Sequence, residues 1–120
     1  MPTCLVVDDS KIIRRVAKRI LSEMAFDAQE ASDGSEAMTC LEKSQPDVIL
    51  LDWNMPKMDG LEFLRQLRSQ DRRQPTVIFC TANNQVKQIE QALEAGADDY
   101  IMKPFDRDIL TSKFEQAGLC

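Results

Sequence analysis

Short apolar runs alternate with stretches of helical period along the whole chain. Leu5-Val6-Val7, Val48-Ile49-Leu50-Leu51 and Val77-Ile78-Phe79 are apolar at successive positions, the pattern of strands buried on both faces. With two weaker runs they predict strands over Cys4 to Val7, Ala28 to Ala31, Val48 to Leu51, Val77 to Cys80 and Tyr100 to Met102, the three apolar ones at the centre. Between them, Ile12, Ile13, Val16, Ile20 and Leu21 mark the core side of a first helix, with Lys11, Arg14, Arg15, Lys18 and Arg19 on a solvated face. Asp33-Gly34-Ser35-Glu36 reads as a capped start for a second helix through Ala37, Met38 and Leu41, the aspartate accepting from a backbone N–H and the glutamate reaching back. Leu61, Leu64 and Leu67 mark a third helix, Val86, Ile89 and Leu93 a fourth, and Ile109, Leu110 and Phe114 a fifth. Gly96 stands where a helix stop belongs. Strands alternating with helices predict an α/β domain, a parallel sheet covered by helices on both faces.

At 120 residues the chain fits one such domain over 1–120 and leaves no room for a second core. A formal charge of −5 opposes nucleic-acid binding, and no helix-turn-helix or zinc motif offsets it. No apolar run approaches the roughly 20 residues of a membrane span, and Met1-Pro2-Thr3-Cys4 resembles neither a signal peptide nor a myristoylation site, so a cytoplasmic protein is expected. Cys4, Cys40, Cys80 and Cys120 form no C-x-x-C pair and histidine is absent, which removes Cys/His zinc sites. The first three read as small apolar fillers and Cys120 as exposed.

Ligands of open parallel sheets bind beyond the carboxyl ends of the strands, so the residue after each apolar run carries the chemistry. The first run leads into Asp8-Asp9, the third into Asp52, the fourth into Thr81 and the fifth into Lys103. Three carboxylates on one edge repel by roughly 3 kcal/mol per pair at ~5 Å and an effective dielectric near 20, which demands a cation. Lys103 supplies one charge, and an all-oxygen cluster suits Mg²⁺. An ionised carboxylate can then act as nucleophile toward a phosphoryl group, with Thr81 donating a hydrogen bond to it. Taken singly, Asp8-Asp9 is more often a turn, Thr81 a cap and Lys103 a solvated lysine; their shared edge reverses those readings.

Four segments stand in order along the chain: Val6-Val7-Asp8-Asp9-Ser10, the run from Leu51 to Gly60, Thr81-Ala82, and the run from Gly96 to Phe105. At this spacing they resemble the receiver domains of response regulators, and within them the single-domain CheY type that serves chemotaxis. The resemblance implies a doubly wound, flavodoxin-like fold of strand order 2-1-3-4-5 with five helices. It implies that Asp52 takes phosphate from a sensor histidine kinase or a histidine phosphotransfer protein, so that the chain is a phospho-acceptor catalysing only its own phosphorylation and dephosphorylation. It also implies that Asp9, Asp52 and the carbonyl of Asn54 bind Mg²⁺, that Asp8 holds it through water, and that Lys103 and Thr81 contact the phosphoryl oxygens. Lys103-Pro104 is expected to be cis, Thr81 and Tyr100 to act as the switch, and Asn54 and Asn83 to flank the hydrolytic water. The output face would comprise the fourth helix, fifth strand and fifth helix, meeting a downstream target as a monomer. Trp53 reads as a partly buried packing residue, and Asp98-Asp99 as surface and turn residues preceding the fifth strand, away from the site. The basic first helix is read first as a solvated face and second as a docking site for the phosphodonor. Alternatives are a phosphorelay, cell-cycle or stress receiver, a phosphate sink, an inactive docking receiver, a Mg²⁺-dependent aspartate-nucleophile phosphatase and a flavodoxin. The last two fit poorly: the phosphatases carry Asp-x-Asp-x-Thr after the first strand, and two aspartates would repel a flavin phosphate.

Overall fold

The structure, a computed structural model, describes residues 2–82 and 86–120. Its elements run β1 (Thr3–Val7), α1 (Lys11–Glu23), β2 (Asp27–Ala31), α2 (Gly34–Lys43), β3 (Val48–Asp52), α3 (Gly60–Arg68), β4 (Thr76–Thr81), α4 (Val86–Glu94), β5 (Asp99–Met102) and α5 (Arg107–Gln116). All strand pairs are parallel, in the order β2-β1-β3-β4-β5. The three apolar strands are therefore central, as their composition predicts, and the mixed β2 and β5 are the edges.

Because strand side chains alternate between faces, each central strand feeds two cores. Leu5, Val7, Ile49, Leu51, Val77 and Phe79 join Phe63, Leu64, Leu67 and Ala92 of α3 and α4. Cys4, Val6, Val48, Leu50, Ile78 and Cys80 join Ala17 and Leu21 of α1 and Leu110 and Phe114 of α5. Phe26 meets Phe114 edge to face at 5.0 Å. Cys4 and Cys80 are buried fillers whose thiols burial pushes upward, Cys80 to about 12, while Cys40 is half-buried and Cys120 exposed.

Four helices start on side-chain caps: Ser10, Asp33, Asp59 and Asp106 accept from the backbone N–H three residues on, at 3.2, 2.8, 2.9 and 2.9 Å. Each cap contributes about 1 kcal/mol. Glu36 reaches back as expected, but past the Asp33 cap, accepting from the Ser32 amide at 3.2 Å. Gly96 ends α4 at φ +111, where the Ala97 amide donates to Ala92 and a side chain would be strained.

Three helix faces differ from the periodicity reading. In α1 the buried residues are Ala17, Ile20 and Leu21; Ile12 and Val16 face solvent and Arg14 turns inward. In α4 only Ala92 is fully buried, and Val86 and Leu93 are exposed. At both contacts a fully buried alanine stands on the face that meets the sheet, and these larger apolar residues lie off that face. In α5, Leu110 and Phe114 are buried and Ile109 is exposed. Asp99 belongs to β5 rather than preceding it, and pairs with Lys113 at 3.1 Å. Asp98 accepts from the Val77 amide at 2.8 Å and from Arg68 at 3.0 Å, tying β4 to α3 rather than marking a plain turn.

Candidate functional site

The carboxyl edge of the sheet gathers the residues that the strand ends predict. The chain leaves β1 at Asp8, whose amide donates to Ala31 of β2 at 3.1 Å and whose Oδ1 accepts from the Ser10 amide at 2.9 Å. Those two bonds turn the chain and aim Asp8 and Asp9 over the end of β3. Asp52 and Thr81 are the last residues of β3 and β4, so both are buried, as is Asp8, while Asp9 is exposed. Carboxylate oxygens of Asp8, Asp9 and Asp52 lie within 4.8 Å of one another.

Lys103 follows β5, its amide bonded to the Thr81 carbonyl at 2.8 Å. Its Nζ lies 2.6 Å from Asp8 Oδ2 and 3.0 Å from Asp52 Oδ1. The Lys103-Pro104 bond is cis, as the resemblance implies. Burial alone would lower the Lys103 pKa, but the hydrogen bonds with Asp8 and Asp52 prevail and hold it above the ordinary lysine value. Burial raises the Asp52 carboxyl; Lys103 pulls it down, and the charges of Asp8 and Asp9 push it up again, leaving it above the usual range. The trio is thus an under-neutralised, all-oxygen cage in which one lysine contacts two of three carboxylates and balances a single one of their charges. That donor set fits a hard divalent cation.

Asn54 lies on the segment 53–59 that leaves β3, with its side chain exposed. This segment is fixed at both ends. The Gly60 amide donates to the Trp53 carbonyl at 2.9 Å, and a Cβ at Gly60 would fall 2.1 Å from the Asp52 carbonyl oxygen. The Gly34 amide donates to Met58 at 3.2 Å, and Lys57 pairs with buried Asp33 at 3.9 Å. Trp53 is half-buried against Phe79, centroids 5.3 Å apart, as its packing role predicts. It also lines a small apolar cavity with Thr81, Ile89, Ala92 and Tyr100, so the two expected switch residues face one space. Lys113 Nζ lies 5.1 Å from the Tyr100 ring centre. Asn83 lies outside the described residues.

Two features escape the sequence reading. Glycine at position 60 is required because the backbone passes against the Asp52 peptide, a non-local contact. Arg14 belongs to no solvated face: it is only 14% exposed and donates to the Asp8 carbonyl at 2.7 Å. A signal for it exists, since Arg14 precedes Ala17 by three positions and Leu21 by seven, the spacing that puts all three on one helix face.

A sequence profile of the response regulator receiver domain matches residues 4–115. The chain belongs to the response regulator receiver family. This receiver is 37% identical over 114 residues to the chemotaxis protein CheY of Pseudomonas aeruginosa, covering 93% of this chain and 92% of that protein. It is 40% identical over 109 residues to the response regulator MprA of Mycobacterium, covering 91% of this chain but 47% of that longer protein. Among solved structures, the chemotaxis response regulator CheY4 of Vibrio cholerae superposes with a TM-score of 0.90 at 30% identity, over 97% of this receiver and 98% of that chain. The flavodoxin-like order 2-1-3-4-5 with five helices is thus both the family's fold and the observed one. Membership ties the receiver to two-component signalling. No helix among the described residues is long and apolar enough to cross a membrane.

Proposed function

We propose that Asp52 accepts a phosphoryl group from a phosphohistidine of a sensor kinase or histidine phosphotransfer protein, in a Mg²⁺-dependent reaction, and that the phosphorylated receiver signals in chemotaxis. The observation that carries the reading is the cage itself: Asp8, Asp9 and Asp52 oxygens within 4.8 Å, with Lys103 bound to two of the three residues. A carboxylate oxygen of Asp52 attacks phosphorus, the phosphorus–nitrogen bond breaks, and its electron pair returns to the imidazole ring of the donor. No general base is needed, because the nucleophile is ionised at neutral pH. Lys103 neutralises charge on the transferring oxygens, and the Thr81 hydroxyl donates to one of them. Asp8, Asp9, Asp52 and the Asn54 carbonyl would hold Mg²⁺, whose contribution when bound is to offset the negative charge of nucleophile and phosphoryl group. The receiver turns over nothing but its own phosphate, and so is a signalling domain rather than an enzyme. It acts in the cytoplasm, as a monomer, without binding nucleic acid.

Phosphorylation turns the Asp52 carboxylate into an acyl phosphate that carries about −1.5 to −2 charges in all and three outer oxygens, toward which Thr81 and Lys103 move, and Tyr100 turns into the space that Thr81 vacates. The downstream target then reads the face of α4, β5 and α5. Exposed Val86, Leu93, Met102 and Ile109 on those three elements support this assignment. The similarity to MprA favours a second reading, that of a receiver in a pathway other than chemotaxis. Titration of Trp53 emission with Mg²⁺ and then beryllofluoride tests the acceptor site; a parent protein silent to both refutes it. Sustained turnover of a phosphate monoester would instead favour the phosphatase alternative.

A further inference from the structure

Arg14 stands apart from the other bases of α1. Its side chain is 14% exposed, while Lys11, Arg15 and Arg19 face solvent. Nε donates to Glu30 Oε1 at 2.7 Å and one terminal nitrogen to the Asp8 carbonyl at 2.7 Å. The second oxygen of Glu30 takes Lys18 at 2.9 Å. The hydrogen bonds from Arg14, then those from Lys18, hold the Glu30 carboxyl below its usual value, so the clamp stays charged.

The Asp8 carbonyl lies where the chain leaves β1, and the peptide it belongs to carries Asp9 on its other side. Asp9 is exposed, so the orientation of that peptide places its carboxylate in the cage. With the Asp8 amide bound to Ala31 and the Asp8 carbonyl bound to Arg14, the turn is gripped from β2 and from α1 together. Glu30 is one residue before Ala31 on β2, so one strand supplies both anchors. A planar guanidinium serves a carboxylate and a carbonyl through N–H groups on two separate nitrogens, a rigid span that the single nitrogen of an ammonium does not supply. Charge alone would make Arg14 adverse to a cation nearby; Glu30, shared with Lys18, offsets part of that charge, and the geometric hold opposes the rest.

We infer that Arg14, anchored by Glu30, is a positioning residue that fixes the Asp8-Asp9 turn and thereby the cation affinity of the acidic cage. The inference rests on the cage being the Mg²⁺ site proposed above.

Mg²⁺ alone is titrated into the parent, Arg14→Lys, Arg14→Gln, Glu30→Gln and the control Lys11→Gln, with Trp53 emission as the readout and urea unfolding in EDTA to establish the folded fraction. Both Arg14 variants should bind Mg²⁺ about tenfold more weakly or worse, as loss of outer-sphere support does. Glu30→Gln should weaken binding by a smaller factor, and Lys11→Gln should leave it unchanged. Tighter binding by Arg14→Gln with parental affinity in Arg14→Lys would overturn the inference, since Arg14 would then act as a charge only. Parental affinity in both, or an equal loss in Lys11→Gln, would overturn it too. A parent that binds Mg²⁺ through Asp9, shown by loss in Asp9→Asn, separates failure of the Arg14 role from failure of the site. A parent without any response refutes both. Should Arg14→Gln not fold, Arg14→Lys and Glu30→Gln decide alone.

Discussion

Replacing Asp52 by asparagine removes one of three carboxylate charges from the cage, and the burial of that charge fixes the sign of the effect on stability. Each carboxylate pair, within 4.8 Å, repels by about 3.5 kcal/mol at an effective dielectric near 20. Lys103, at 3.0 Å, returns about 5.5 kcal/mol at the same dielectric. Solvent discounts the share of exposed Asp9, so attraction and repulsion nearly cancel and the burial of Asp52 decides. Burial opposes the charge, in keeping with the raised Asp52 carboxyl. In the folded state the group therefore loses its proton at higher pH than in the unfolded chain. Below the unfolded value both states hold the proton and nothing is lost; as pH rises through the folded value, stability declines. Asp52→Asn escapes that decline. In EDTA at pH 7 it should be more stable than the parent by about 1–2 kcal/mol, roughly 4–8 °C in melting temperature. Added Mg²⁺ should reverse the order, because ligand at 100 times Kd contributes about 2.7 kcal/mol to the parent and less to the variant. Urea unfolding in EDTA and in Mg²⁺, at pH 5 and pH 7, is the assay. An Asp52→Asn protein less stable than the parent in EDTA at pH 7 would refute the reasoning, and would mean that the Lys103 pair outweighs burial and repulsion together.

Lys103→Met strips Asp8 and Asp52 of their shared cation; metal-free stability should fall by about 3 kcal/mol and the stabilisation by Mg²⁺ should grow, both read from the same urea curves. Gly60→Ala drives a Cβ into the Asp52 carbonyl and Phe79, and should lose about 3 kcal/mol or more in thermal unfolding. Thr81→Ala should still accept phosphate, more slowly, but lose most of the distant response. Amide chemical shifts on α4 and α5 with and without beryllofluoride report this, and parental shifts in the variant would remove Thr81 from the switch.

The central strands were readable because burial on both faces leaves no polar position in Leu5-Val6-Val7 or Val48-Ile49-Leu50-Leu51, and that pattern has few rivals. The site was readable for a related reason: Asp8, Asp52, Thr81 and Lys103 each interrupt or end such a run, and parallel connectivity puts all run ends on one edge. Helix faces were harder. Periodicity weights large apolar residues, yet the buried face of α1 includes Ala17 beside Ile20 and Leu21 and that of α4 is Ala92 alone, while Ile12, Val16, Val86 and Leu93 point outward. The role of Arg14 depends on Glu30, sixteen positions away, and on a backbone carbonyl, neither of which leaves a mark on local pattern. Asp98 likewise looks like a turn residue until β4 and Arg68 are set beside it.

Phosphorylation itself tests the central claim most directly. Incubated with acetyl phosphate and Mg²⁺, the protein should gain the mass of one phosphoryl group. Peptide mapping should place it on Asp52 as a hydroxylamine-labile acyl phosphate, absent without Mg²⁺ and absent in Asp52→Asn. Labelling that survives in Asp52→Asn, or that proceeds equally well in EDTA, would contradict the account.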